Sequence, residues 1–334
     1  MNKRVDFIDL AKGLCILLIA LTHTFGDSGG APLEILSVFK VPVFFVLSGF
    51  FFRIYDSDAI FIKKKTNQLL IPIVFAFIFL SLPWTFLCSY KDSFSIPLRD
   101  FFLLPDTWKV NFGLSPSTWF LVCLFWTNIM LWAVKKIVRF QFLHYMIAVG
   151  FGILGFILNT IDVSLPIWFD TALVVFPFFV FGNVTWTYFS FWQKPVSVMH
   201  YWAFVASLTV FVLTLFVIGD HSNTFYAANR YQNVSILCLY IGGLSGSIFV
   251  ILLTKFLNKV PVISYIGRYS IVVLLTHQFY LFVIRNVLYK LQVPQDDVWV
   301  NIGVFLFVVM ISLPTIKYGI KYLPYCFSQK SLWE

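Results

Sequence analysis

Charged residues are scarce in this chain, and that scarcity excludes an ordinary soluble domain. Of its 334 residues only 12% are Asp, Glu, Lys or Arg, whereas 60% are hydrophobic and 20% are aromatic. A soluble domain carries about twice that share of charge. Because a backbone that crosses a bilayer must satisfy its own hydrogen bonds, the composition predicts an all-α integral membrane protein.

Cysteine is also scarce, and its positions favour neither a metal site nor a disulfide framework. The five cysteines are scattered, with no pair at a metal-binding or disulfide spacing, so we interpret them as small buried thiols. The net charge of +9 would suggest a nucleic-acid partner in a soluble protein. In a membrane protein it is better explained by basic cytoplasmic loops, and no nucleic acid is expected.

Ten apolar segments are long enough to predict transmembrane helices. They lie near residues 7–25, 35–53, 68–88, 118–134, 142–160, 168–187, 200–218, 233–254, 265–285 and 298–316. The connections on one side carry fifteen Lys and Arg and those on the other carry five. This bias predicts cytoplasmic N- and C-termini. The whole chain, residues 1–334, is then a single polytopic domain in contact with lipid in the cell (cytoplasmic) membrane.

The first apolar run, Phe7–Phe25, carries three ionisable residues, Asp9, Lys12 and His23. Such a side chain costs roughly 2.5–3.5 kcal/mol at the centre of a spanning helix, so it usually faces a protein interior. Lys12 and His23 are eleven residues apart, which places them on nearly the same helix face about 16 Å apart. The alternatives are a packed structural His23, a Lys12 that snorkels to lipid headgroups, and an Asp9 that only pairs with Lys12.

The remaining polar candidates divide between the two membrane surfaces. The predicted cytoplasmic side carries Arg268 and the run Lys63, Lys64 and Lys65, whereas the outer side and the mid-membrane carry Trp119, Asp170, Asn229, Tyr231 and His277. A cationic mouth suits a phosphorylated donor such as a nucleotide or coenzyme A. A neutral imidazole suits a general base. Structural interpretations also stay open: the lysine run sets topology, Asp170 caps a helix, and His277 is a packed structural histidine.

The run from Asp9 to His23, DLAKGLCILLIALTH, resembles the opening motif of membrane-bound acyltransferase family 3, in which a basic residue precedes a histidine by ten intervening residues. Lys-Gly at this point is most similar to the fucose 4-O-acetylase-like branch. Later blocks that resemble the family are Val41–Gly49, Lys65–Pro72, Ser117–Leu121, Asp170–Gly182, Asn229–Asn233 and Ile266–Ser270 with His277. The stretch from Phe39 to Pro42 departs from the pattern, because relatives often have a histidine or methionine before this proline.

The resemblance implies a bacterial membrane O-acyltransferase, an enzyme that transfers groups other than aminoacyl groups. Its expected reaction moves acetyl from cytoplasmic acetyl-coenzyme A, a substrate rather than a permanently bound cofactor, to a sugar hydroxyl of a surface or lipid-linked glycan. Lys12, with Arg268 or the Lys63–Lys65 run, is expected to bind the donor phosphates, and His23 to act as general base. The supporting or acceptor-binding candidates are Asp9, Trp119, Asp170, Asn229, Tyr231 and His277.

Two alternatives stay open at this point. A covalent acetyl-histidine intermediate is the alternative mechanism. A multi-span transporter or flippase of glycan intermediates is the alternative function, because buried His, Lys and Asp also suit substrate pathways through a membrane.

Overall fold

The computed structural model describes residues 5–26, 33, 36–81, 117–161, 163, 165–218 and 236–333, and this described part of the chain contains helices and turns but no β-strand. The helices are α1 (Asp6–Phe25), α2 (Ser37–Phe50), α3 (Asp58–Lys65), α4 (Ile71–Ala76), α5 (Thr118–Ile137), α6 (Gln141–Thr160), α7 (Phe169–Tyr188), α8 (Val198–Ile218), α9 (Ile236–Leu257), α10 (Pro261–Arg268), α11 (Ser270–Lys290) and α12 (Val298–Tyr322). The prediction of an all-α integral membrane protein is confirmed.

Eight helices in the described residues are long and apolar enough to cross a bilayer, namely α1, α5, α6, α7, α8, α9, α11 and α12. The second predicted segment contains α2, which has only 14 residues. The third begins in a π-helical turn, Thr66–Leu70, continues through α4 to a second π-helical turn, Phe77–Ser81, and then leaves the described residues. The total of ten spans and the side on which the termini lie therefore stay predictions.

The bundle is centred on α7, which packs against α2. In the most apolar window of α7, 78% of the residues are buried, against 22% in α6 and in α8, so those two helices lie at the periphery. The backbones of α2 and α7 touch at two glycines. A Cβ on Gly49 would lie 2.0 Å from the Phe179 carbonyl oxygen, and one on Gly182 would lie 2.0 Å from that of Val46.

A second close contact fixes the short helix α10 against α1. A Cβ on Gly13 would lie 2.0 Å from the Ile263 carbonyl oxygen, and one on Gly267 would lie 1.8 Å from that of Asp9. The chain then leaves helical geometry at Tyr269 (φ −117°, ψ 31°) and resumes in α11. The predicted ninth segment, 265–285, thus begins in α10, and the helix that follows extends to Lys290.

Candidate active site

Two histidines from different helices meet near the C-terminal end of α1. The imidazole rings of His23 on α1 and His277 on α11 have centroids 5.5 Å apart and are tilted by 37°. His277 is fully buried, whereas His23 is accessible although its neighbours Thr22 and Thr24 are buried. The pair therefore combines an accessible imidazole with a buried one, and we call it the histidine pair.

The hydrogen bond that His277 makes determines which of its nitrogens carries the proton. Nδ1 lies 2.7 Å from the Val273 carbonyl oxygen, one turn earlier in α11. A carbonyl oxygen only accepts, so Nδ1 donates and, in the neutral ring, Nε2 holds a lone pair. Nε2 is buried and has no hydrogen-bond partner in the structure as described. A buried lone pair without a donor is costly, and a catalytic role is one explanation for such an atom.

A buried lysine that the sequence pattern did not single out as a site residue lies beside the histidine pair. Lys40, in the first turn of α2, donates from Nζ to Thr22 Oγ1 at 2.6 Å. Thr22 Oγ1 in turn donates to the Ile19 carbonyl oxygen at 2.9 Å, so the hydroxyl accepts one hydrogen bond and donates another. Lys40 is only 5% exposed, and its amine is bound to Thr22, the residue before His23 on α1. Two signals for it were present in the sequence: a lysine inside a predicted span, and the departure of the stretch Phe39–Pro42 from the family pattern.

An arginine also missed from sequence holds the end of α1. Arg285 on α11 donates to the Thr24 carbonyl oxygen at 2.5 Å and, from its other nitrogen, to the Gln295 carbonyl oxygen at 3.1 Å. It also donates to the side-chain oxygen of Asn301 on α12, a fully buried residue. The last carbonyls of a helix lack intrahelical partners and carry partial negative charge, which a guanidinium satisfies. Arg285 therefore fixes the turn of α1 that carries His23.

The predicted cytoplasmic end of α1 has a different composition, with three lysines over three phenylalanine rings. The distances from Nζ to the ring centroid are 5.5 Å for Lys12 over Phe51, 5.3 Å for Lys135 over Phe52 and 5.9 Å for Lys65 over Phe61. The Phe52 and Phe61 rings contact each other at 5.9 Å. We call Lys12, Lys65 and Lys135 the lysine cluster. Lys135 was not among the predicted site residues.

The predicted run Lys63–Lys65 is divided by the way α3 faces the bundle. Lys65 is buried, and this burial lowers its pKa to about 8. Lys63 and Lys64 are exposed, and Lys64 Nζ lies 4.2 Å from the centroid of the Tyr55 ring. An ion pair between Lys136 and Asp58 joins the end of α5 to the start of α3. Only Lys65 of the three therefore belongs to the lysine cluster.

Arg268 and Asp9 lie close to the same end of α1. Arg268 is exposed at the end of α10, with its guanidinium carbon 5.3 Å from the centroid of the Tyr269 ring. It follows Gly267, whose backbone touches that of Asp9, one turn before Lys12. The contact between α1 and α10 thus brings a further cation to the region of the lysine cluster.

The predicted outer residues occupy a separate place, where α5 and α7 begin. Asp170, 2% exposed, accepts the Thr171 backbone N–H through Oδ1 at 2.9 Å. Ile167 and Trp168 just before it adopt left-handed conformations (φ 59° and 52°), a strained geometry that recurs at functional sites. Trp119 is half-buried against Phe120. Asn229 and Tyr231 lie outside the described residues.

The fold and its two polar sites define an integral membrane protein whose first helix joins a cationic region to a pair of imidazoles. A family model described as an acyltransferase domain matches residues 5–317. The chain belongs to this family, acyltransferase family 3, and is a multi-pass membrane acyltransferase. Searches of curated proteins and of solved structures gave no match.

Proposed function

We propose that this acyltransferase is an O-acetyltransferase that moves acetyl from cytoplasmic acetyl-coenzyme A to a sugar hydroxyl of a surface or lipid-linked glycan. One observation carries the proposal: α1 bears Lys12 of the lysine cluster near one end and His23 of the histidine pair near the other. The two residues are eleven apart, or about 16 Å along a helix. That spacing suits a donor whose phosphates stay at one end while its thioester reaches the other.

The lysine cluster is the proposed donor site. Coenzyme A carries several phosphate groups, and the lysine amines of α1, α3 and α5 would bind such groups by charge-assisted hydrogen bonds. The neighbouring phenylalanine rings hold the lysine stems and attract the amines through their faces. Arg268 adds charge at the contact between α1 and α10, while Lys63 and Lys64, which are exposed, are better explained as topology determinants.

The histidine pair is the proposed reaction centre. His23, the accessible member, would remove the proton from the acceptor hydroxyl as its oxygen attacks the thioester carbon. The new carbon–oxygen bond forms, the carbon–sulfur bond breaks, and the proton returns to the coenzyme A thiolate. The buried amine of Lys40 on α2 binds Thr22, the residue before His23 on α1, and from there it would stabilise negative charge on the carbonyl oxygen.

The acceptor is proposed to approach from the outer side. Asp170 and Trp119 lie at the starts of α7 and α5, which begin on the predicted outer surface. A carboxylate and an indole are common partners for sugar hydroxyls and sugar faces. Asn229 and Tyr231 belong to the same predicted surface on the sequence pattern alone.

The proposal is tested with the purified, detergent-solubilised protein. Release of coenzyme A thiol from acetyl-coenzyme A should depend on an added glycan acceptor and should need no sealed membrane. Absence of thiol release from folded protein over a panel of glycan acceptors, together with glycan movement across vesicles, would instead support the transporter. Trapping of acetylated protein after acid quench would replace direct transfer by the acetyl-histidine mechanism.

A further inference from the structure

We infer that His277 is a positioning residue that fixes the tautomer of His23 and stabilises its protonated form. The inference rests on the proposed role of His23 as general base and deepens it. His277 itself does not touch substrate in this account. Its task is to accept a hydrogen bond from one ring nitrogen of His23, so that the other nitrogen presents its lone pair to the acceptor hydroxyl.

The tautomer of His277 is fixed by its hydrogen bond within α11. Its Nδ1–H donates to the Val273 carbonyl oxygen one turn earlier in α11, and this hydrogen bond sets the tautomer. Nε2 is left as an acceptor that is fully buried. A donor is the chemically complementary partner for this atom.

The donor to His277 Nε2 is identified by the groups that surround the histidine pair. The ring centroid of His23 lies 5.5 Å away, and the His23 side chain is exposed. A ring rotation or one bridging water joins a His23 N–H to His277 Nε2. Lys40 donates to Thr22 Oγ1, and Arg285 donates to Thr24, Gln295 and Asn301, whereas the ring that contacts His277 is that of His23. His23 is therefore the donor that the geometry favours.

A hydrogen bond from His23 to His277 has a consequence for catalysis. A neutral imidazole exists as two tautomers, and only the one with its lone pair toward the hydroxyl accepts the proton. When His23 takes that proton, its other N–H bond to His277 Nε2 becomes charge-assisted and stronger. An interaction that strengthens in the transition state lowers the barrier without tightening donor binding. The expected signature of losing it is a lower kcat at an unchanged KM for acetyl-coenzyme A.

The chain offers a matched control for this experiment. His144 on α6 is also buried, lies 2.8 Å through Nε2 from a backbone carbonyl oxygen, that of Val138, and leaves Nδ1 without a partner in the described structure. The two histidines differ in one respect. Among the ring contacts of the described residues, His277 contacts a second histidine and His144 does not. His144→Gln therefore reproduces the structural loss without touching the histidine pair.

The experiment compares His277→Ala, His277→Gln and His144→Gln in detergent. His277→Ala should lower kcat about 100-fold at an unchanged acetyl-coenzyme A KM. His277→Gln should recover most of that loss, because the amide oxygen accepts from His23 although it cannot carry a proton. His144→Gln should leave kcat within a few-fold of the wild type. Equal losses in His277→Gln and His277→Ala, or a comparable loss in His144→Gln, would overturn the inference.

A spectroscopic measurement separates this inference from the proposed function. With ¹⁵N-labelled histidine and no substrate present, the wild-type His23 resonances should report one dominant tautomer, and His277→Ala should shift them toward a mixture. A shift without any acetyl transfer would retain the positioning role and reject the acetyltransferase. His23 resonances that do not change in His277→Ala would reject the positioning role even if acetyl transfer is active.

Discussion

The two ends of α1 differ in how their polar side chains are held. At the lysine cluster, three amines lie over aromatic rings on long side chains, and each contributes the same kind of charge. At the histidine pair, one nitrogen of His277 is fixed by a hydrogen bond, and Arg285 and Lys40 hold the turns of α1 around His23. The proposed donor binding is thus distributed over several groups of one kind, whereas the proposed chemistry depends on one atom in one orientation.

The largest effect is expected at His23. His23→Ala should lower kcat by about 10²–10⁴-fold, because general base catalysis contributes roughly that factor. Binding of acetyl-coenzyme A should stay within a few-fold of the wild type, since Lys12 lies about 16 Å away. Thiol-release kinetics and donor binding measured on the same preparation check both parts. Normal acetylation by a well-folded His23→Ala protein would remove His23 from the mechanism.

The lysine cluster should respond with smaller losses that fall on donor affinity. Lys65→Met or Lys135→Met each removes a charged hydrogen-bond donor worth about 1.5–3 kcal/mol, or roughly 10–100-fold in the dissociation constant for acetyl-coenzyme A. The rate at saturating donor should change little. Lys63→Met is the matched control, because Lys63 belongs to the same run but is exposed. A loss of affinity in Lys63→Met as large as in Lys65→Met would argue for a diffuse surface charge effect.

The pH dependence of donor binding should identify Lys65 within the cluster. Burial lowers the pKa of Lys65 to about 8 in the protein without donor, so its amine is charged below pH 8 and loses its charge above it. Affinity for acetyl-coenzyme A should therefore fall as pH rises from 7 to 9, by at most about tenfold per pH unit for one proton. Lys65→Arg should flatten the profile, since an arginine stays charged. An unchanged profile in Lys65→Arg would assign the titration to another group.

The smallest effect on activity is expected at Arg285, which acts through the end of α1. Arg285→Met leaves the Thr24 carbonyl and the Asn301 amide without this donor, at a cost of about 1–3 kcal/mol for a buried polar group. The unfolding temperature in detergent should drop by several degrees, and kcat should fall only severalfold. Arg285→Lys, which keeps the charge, should lie between Arg285→Met and the wild type. An unchanged unfolding temperature in Arg285→Met would mean that α1 is held by other contacts.

Much of the fold and part of the site could be predicted from local patterns. Apolar runs of helical length indicate the spanning helices, and the ionisable residues of α1 stand out because lipid rejects them. Lys40, Lys135 and Arg285 could not be assigned in this way, since their importance comes from contacts between residues distant in the chain, such as Arg285 with Thr24. The division of Lys63–Lys65 depends on how α3 is rotated against the bundle, which three identical residues in a row do not reveal.

The division of roles along α1 is tested most directly by measuring acetyl-coenzyme A binding to purified wild type, Lys12→Ala and His23→Ala. We expect micromolar binding to the wild type, clear weakening in Lys12→Ala and nearly unchanged binding in His23→Ala. That result would separate donor binding from chemistry along α1. Equal weakening in both variants, or no binding to folded wild-type protein, would contradict the division of roles between the lysine cluster and the histidine pair.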